Sequence, residues 1–193
     1  MVIRLPGFAR KPDPRFPGGN MNTLNIPGCL YDRIKNTIGS SPTESGGVFA
    51  LSGDGTIAKY YFDVHAGAGK RFYRPSAPQI TAQVNDWLQE PGLCFGGYIH
   101  SHPAGHTTLS PMDIVAAEMT MYQNRLPCIY MLILCENQLY GYRLIPQPET
   151  EHALVEPLFI QITIQCLHNE ERDDYAIIQA LKTYQDRRTN KGR

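Results

Sequence analysis

His100 and His102 stand one residue apart at the end of an apolar run, and Asp113 opens the next helical pattern. Alternate residues of a strand face the same side, so two imidazoles at a strand end address one point. A carboxylate on the first turn of the following helix can reach that point too. Two imidazoles and a carboxylate are zinc ligands, and a three-ligand set leaves one tetrahedral position open, as in catalytic rather than structural sites. Zinc there lowers the pKa of its water to about 7 and polarises a carbonyl. Each piece also has a plainer reading. A His-Ser-His triplet at a strand end fits surface polarity or a mutually bonded histidine pair. Ser110 and Asp113 have the spacing of a capping box, whose side chains only satisfy backbone N–H groups. Capping and chemistry are compatible, because a capped turn holds Asp113 rigidly.

The elements that must position these residues follow from periodicity. Leu30, Ile34 and Ile38 recur at helical spacing and predict a short amphipathic helix ending near Gly39. Gly46–Leu51 and Thr56–Val64 read as two strands joined by the turn Ser52-Gly53-Asp54-Gly55. His65–Ala77 reads as a loop, and Ile80, Val84 and Leu88 mark a second helix stopped by Pro91-Gly92. Leu93–His100 is a short strand whose Gly96-Gly97 marks a close backbone approach. Ser110-Pro111 starts a third helix through Ile114, Ala117 and Met121 to about Asn124. Cys128–Cys135 is a near-continuous apolar run, as in a central strand covered on both faces, and Gln138–Ile145 pairs with it through a Glu136-Asn137 turn. Leu158–Ile164 alternates as a further strand. Asp173–Arg188 reads as a last helix whose early acids and late arginines complement the helix dipole. Strands mixed with helices predict an α/β domain, three layers around a mixed sheet.

Length and composition narrow the classes. At 193 residues the chain fits one domain, and 42% apolar residues suffice for a core. Eighteen basic residues balance eighteen acidic ones, which removes the bulk electrostatic argument for nucleic acid or an anionic membrane as partner. Five cysteines without a C-x-x-C pair are no disulfide framework and read as a reducing, cytoplasmic setting. No apolar run approaches the roughly 20 residues of a membrane span. Residues 1–22 form a Pro/Gly-rich basic arm without the apolar stretch of a signal peptide. The expected organisation is therefore an arm over 1–22, a domain over 23–165, and a C-terminal helix and tail over 166–193.

His100-x-His102-Pro103, six residues, then Ser110-x-x-Asp113 resembles the full signature of the JAMM (MPN-plus) zinc metalloproteases. That family also carries a glutamate where the first helix meets the next strand. Glu44, in Thr43-Glu44-Ser45-Gly46-Gly47-Val48, stands at that junction. The resemblance covers roughly Leu24 to Leu144 in motif and element order. It implies a mixed-sheet, cytidine-deaminase-like fold with one zinc per chain on His100, His102 and Asp113. Glu44 would take a proton from the bound water and deliver it to the leaving amine, and Ser110 would donate to the oxyanion.

Family members cleave after the C-terminus of ubiquitin-like modifiers, in deconjugation or in precursor processing. The implied partners are thus a ubiquitin-like or other β-grasp protein and the activating and conjugating enzymes of the same pathway. The short connection after the third helix lacks the long insertion of linkage-selective members. The chain looks more like free-standing prokaryotic members, some of which act in antiphage systems. Two alternatives stay open: processing of a sulfur-carrier β-grasp protein, and a non-catalytic MPN interaction module. A zinc nucleobase deaminase would need P-C-x-x-C, which the run Pro127-Cys128-Ile129-Tyr130-Met131 does not supply. His106 is a candidate further ligand but reads better as a loop residue. Phe72 and Tyr73, within the basic segment Ala66–Arg74, are expected to wall a substrate groove.

Overall fold

The computed structural model describes residues 22–41, 43–69, 72–150 and 152–163. The arm and the Asp173–Arg188 helix expected from the sequence lie outside these residues, apart from Asn22. A seven-stranded mixed sheet runs in the order β1-β9-β8-β7-β6-β2-β3. At its middle sits β7 (Ile129–Cys135), with every residue buried, as the uninterrupted apolar run predicts. Burial of Ile129, Leu132, Ile133 and Leu134 contributes about 1.5–3 kcal/mol apiece before the entropy of ordering the chain is counted.

On one side β7 pairs antiparallel with β8 (Gln138–Ile145), closed by Glu136 and Asn137 at φ 50° and 62°. Two left-handed residues in succession give the turn whose twist matches a hairpin. On the other side it pairs parallel with β6 (Leu93–Ser101). Parallel neighbours need a crossover, supplied by α3 (Pro111–Asn124). Beyond β6 lie β2 (Gly46–Ser52) and β3 (Ile57–Phe62), an antiparallel pair.

Register between β2 and β6 shifts at Phe49/Ala50, leaving Gly96 as the extra residue. A Cβ there would stand 2.5 Å from the Phe49 ring, and one on Gly97, at φ 151°, would strike the Tyr130 carbonyl. The close approach expected at this glycine pair is therefore packing inside the sheet, not contact with a ligand.

The far edge departs from expectation. The last strand, β9 (Leu154–Thr163), starts earlier than its alternation indicates. Beside it runs β1 (Thr23–Pro27), parallel, with Leu24 opposite Ile160 and Ile26 opposite Ile162. The short segment TLNIP carries Asn and Pro, both poor strand formers, so only the partner strand makes it one. Residues read as loop also form a small hairpin, β4 (Gly67–Gly69) with β5 (Phe72–Arg74). Two glycines in β4 hide any strand signal.

The helices bury the stripes their spacing predicts. In α1 (Gly28–Thr37) these are Leu30 and Ile34, with Thr37 bonded to the Tyr60 hydroxyl on β3 at 2.9 Å. In α2 (Ala77–Trp87) Ile80 and Val84 are buried as expected, while Trp87 is buried in the third place and Leu88, at the helix end, is only partly buried. On α3, Thr120 bonds the Tyr98 hydroxyl of β6 at 2.8 Å. Among the described residues no helix is long and apolar enough to cross a membrane.

Candidate metal centre

The C-terminal end of β6, an interior strand, and the first turn of α3 meet at one end of the sheet's strands. His100, paired with Gly46 on β2 and Ile133 on β7, is buried. His102 leaves the strand with its N–H donating to the Leu134 carbonyl at 3.0 Å. The two rings converge, Nε2 to Nε2, at 2.8 Å. Asp113 closes the group, Oδ1 3.2 Å from His100 Nε2 and Oδ2 3.4 Å from His102 Nε2. Among the described residues His100, His102 and Asp113 are the cluster able to hold a metal ion. Four ligands at the usual 2.0–2.1 Å from a tetrahedral zinc stand about 3.3 Å apart. The two imidazole nitrogens stand 2.8 Å apart, and each faces its own Asp113 oxygen at 3.2 or 3.4 Å, separations close to that ligand spacing, so the donor set fits zinc.

Hydrogen bonds decide which nitrogen is free. A carbonyl only accepts, so His102 Nδ1, 3.1 Å from the His106 carbonyl, must carry the proton. In the neutral ring the lone pair then sits on Nε2, the atom facing His100 and Asp113, as metal-ligating histidines are commonly prepared. His106 thus serves through its backbone, while its own imidazole is outside the cluster. The loop that presents this carbonyl is pinned to the β7–β8 hairpin. The Cys135 thiol donates to the Pro103 carbonyl at 3.3 Å, the Gly105 N–H to Glu136 at 3.4 Å, and the Tyr142 hydroxyl to the Thr107 carbonyl at 2.9 Å.

Asp113 is fixed by the cap that its spacing predicts. Its N–H donates to Ser110 Oγ at 3.2 Å, and its Oδ2 accepts the Ser110 N–H at 2.8 Å. Burial works to raise the Asp113 carboxyl, but hydrogen bonds from His100, His102 and Ser110 prevail and hold it far below the ordinary carboxylate range. Burial likewise works against a charged His102, yet its hydrogen bond to Asp113 leaves the ring raised above the usual histidine value. Glu44 shares this field. Burial pushes its carboxyl up, Asp113 adds to the rise, and His102 and His100 pull against it. The structure therefore brings four of the five candidate residues, His100, His102, Ser110 and Asp113, into direct contact, with Glu44 electrostatically coupled to the group.

Sequence reasoning missed the support behind His100. The Tyr73 ring stacks on it at 6.2 Å with an 18° interplanar angle. The Tyr73 hydroxyl donates to Asp63 at 3.3 Å, and the buried Asp63 also accepts the Ser76 N–H at 2.5 Å and the His65 N–H at 3.2 Å. Tyr73 is thus held against His100 by Asp63. Gly46 makes room for the stack: a Cβ there would stand 2.8 Å from both Tyr73 Cε1 and His100 Cβ. No local pattern in the sequence marks Asp63 or Gly46 for this task.

No protein-family model and no curated protein matches the chain. Among solved structures, protein DSY2949 from Desulfitobacterium hafniense aligns with a TM-score of 0.52 at 14% identity, over 76% of this chain and 97% of that one. At that identity the likeness is one of fold. AF2198 from Archaeoglobus fulgidus, a JAB1/MPN domain protein, aligns with a TM-score of 0.40 at 15% identity, over 72% of this chain and 97% of that one.

Proposed function

We propose that the chain is a JAMM-type zinc peptidase, built as a three-layer MPN domain, that cleaves after the C-terminus of a ubiquitin-like modifier. The observation that carries the proposal is the convergence of His100 Nε2, His102 Nε2 and the Asp113 carboxylate, with His102 Nδ1 bonded to the His106 carbonyl. The layered arrangement is supported by α1 and α3 bonding Tyr60 and Tyr98. Tyr60 pairs with Phe49, and Tyr98 with its neighbour Val48, so the two tyrosines belong to alternating positions of the ladder.

His100 Nε2, His102 Nε2 and the Asp113 carboxylate are the atoms that would hold zinc. Zinc, when bound, supplies Lewis-acid polarisation of a carbonyl and lowers the pKa of water. Glu44 accepts a proton from the attacking water and passes it to the leaving amine. Ser110 donates to the carbonyl oxygen as charge builds on it. A protein substrate is further supported by Met112, Val115, Met119 and Tyr122, a helically spaced apolar stripe exposed on α3 beside the site. Single exposed apolar side chains are ordinary, but a contiguous stripe marks a contact surface.

The test is a panel of β-grasp modifiers carrying linear or isopeptide extensions, incubated with zinc-loaded protein. Parent-rate cleavage by Glu44→Ala would falsify the catalytic reading. Cleavage confined to linear extensions, or to a sulfur-carrier protein, would select the processing alternative. Stoichiometric zinc without any cleavage would leave the interaction-module reading in its place.

A further inference from the structure

Glu44 lies on the irregular segment between α1 and β2, where a side chain has no regular ladder of its own to fix it. Its neighbour Ser45 is nevertheless one of the more constrained residues in the fold. The Ser45 N–H donates to Ser101 Oγ at 3.1 Å, across fifty-six residues of sequence. The Ser45 carbonyl accepts the Ser101 N–H at 2.8 Å and the Ser101 hydroxyl at 3.4 Å. The Ser45 hydroxyl donates to the Ile38 carbonyl just past α1 at 3.3 Å. Ser45 is buried, and the next residue, Gly46, is already in the β2 ladder opposite His100.

Ser101 is the residue between the two histidines, and its side chain alternates away from theirs. We infer that Ser101 is a positioning residue: its hydroxyl clamps the Ser45 peptide and so fixes Glu44 against the pair His100 and His102. The inference rests on the proposed role of Glu44. A backbone bond alone would tie Ser45 to β6 through its carbonyl. The hydroxyl adds the second half, taking the N–H of the peptide that joins Glu44 to Ser45. Without it, that partly buried N–H loses its protein partner and the peptide is free to rotate, carrying the glutamate with it. One strand end therefore carries three consecutive tasks, with two residues presenting imidazoles and the residue between them setting the base.

The experiment compares Ser101→Ala, Ser101→Thr, Ser101→Val and Glu44→Gln, with Ser101→Ala/Glu44→Gln as the double variant. Threonine and valine share a shape and differ in the hydroxyl, so they carry the test should the alanine variant fail to fold. Three readouts are used. Hydrogen exchange of the Ser45 amide in metal-free protein should lose protection in the Ala and Val variants and keep it in Thr. The visible bands of cobalt(II)-loaded protein should shift in Ala and Val as they do in Glu44→Gln, and stay at the parent position in Thr. With cleavable fusions, kcat should fall about 10–100-fold in Ala and Val with KM little changed, the usual cost of an outer-shell partner. The double variant should be no slower than Glu44→Gln alone, because the two residues act as one unit.

Parent-like bands and kcat in the valine variant, beside shifted bands in Glu44→Gln, overturn the clamp while leaving Glu44 in its role. Additive losses in the double variant overturn it too, since Ser101 would then act elsewhere. If Glu44→Gln changes neither bands nor kcat, the reading of Glu44 itself fails, and the clamp falls with it.

Discussion

Ser110 has two tasks that a single substitution confounds and two substitutions separate. Its side-chain oxygen accepts the Asp113 N–H at 3.2 Å, while the reciprocal bond, Ser110 N–H to Asp113 Oδ2 at 2.8 Å, uses backbone on the Ser110 side. Alanine at 110 therefore removes one half of the capping box and keeps the other. Loss of an N-cap oxygen costs about 0.5–2 kcal/mol, and with half the box surviving we expect about 1 kcal/mol. For a domain of this size that lowers the melting temperature by roughly 3–4 °C. Glycine at an N-cap costs only a few tenths of a kcal/mol relative to serine, so Ser110→Gly should melt within roughly 1–2 °C of the parent. Both variants lack the hydroxyl that would meet the developing oxyanion, and both should lose about 10²–10³ in kcat.

The assay pairs thermal melts of metal-free protein with initial rates on a cleavable fusion at matched zinc occupancy. Rates that track stability, high in glycine and low in alanine, would show that Ser110 only caps the helix. Equal stability of alanine and parent would show that the side-chain oxygen contributes nothing to the cap.

Further expectations follow from the same contacts. Elemental analysis should find near-stoichiometric zinc in the parent and none in His100→Ala or His102→Ala. Gly46→Ala would place a Cβ 2.5 Å from the Ile99 carbonyl and 2.8 Å from Tyr73 and His100; we expect about 1–3 kcal/mol lost in urea unfolding and weaker metal retention as the stack shifts. Tyr142→Phe frees the Thr107 carbonyl and should weaken zinc by about tenfold or less, read by competition with a chromophoric chelator.

In metal-free protein the raised His102 contributes stability that is complete below its ordinary value of 6.5 and is lost as pH rises through its folded value. The lowered Asp113 contributes above its ordinary value of 3.8 and is lost on acidification. Stability of the metal-free protein should therefore peak between about pH 4 and 6.5, and Asp113→Asn should flatten that peak in a pH series of urea midpoints.

Much of the site was legible because its signals are local. Alternation sets His100 and His102 on one side of a strand, and the Ser110-x-x-Asp113 spacing fixes a cap that delivers the carboxylate. The Cys128–Cys135 run and the Glu136-Asn137 turn likewise announce a central strand and its hairpin. Other parts left no local trace. TLNIP is a strand only because Leu24 and Ile26 find Ile160 and Ile162. Tyr73 is held by Asp63 onto His100, a contact that depends on where a glycine-rich hairpin folds back.

Local sequence sufficed to pick out the atoms that could bind a metal and the helix cap that would hold the carboxylate, because strand period and capping are properties of a few adjacent residues. Tertiary structure decided everything that joins distant segments. It chose the His106 carbonyl that meets His102 Nδ1, the Gly46 gap that admits Tyr73, and the Ser101 bonds that tie Ser45, next to Glu44, to the strand carrying His100. Those contacts depend on the register of β6 against β2 and β7. Register is fixed by burial across the whole sheet, which no single stretch of sequence contains.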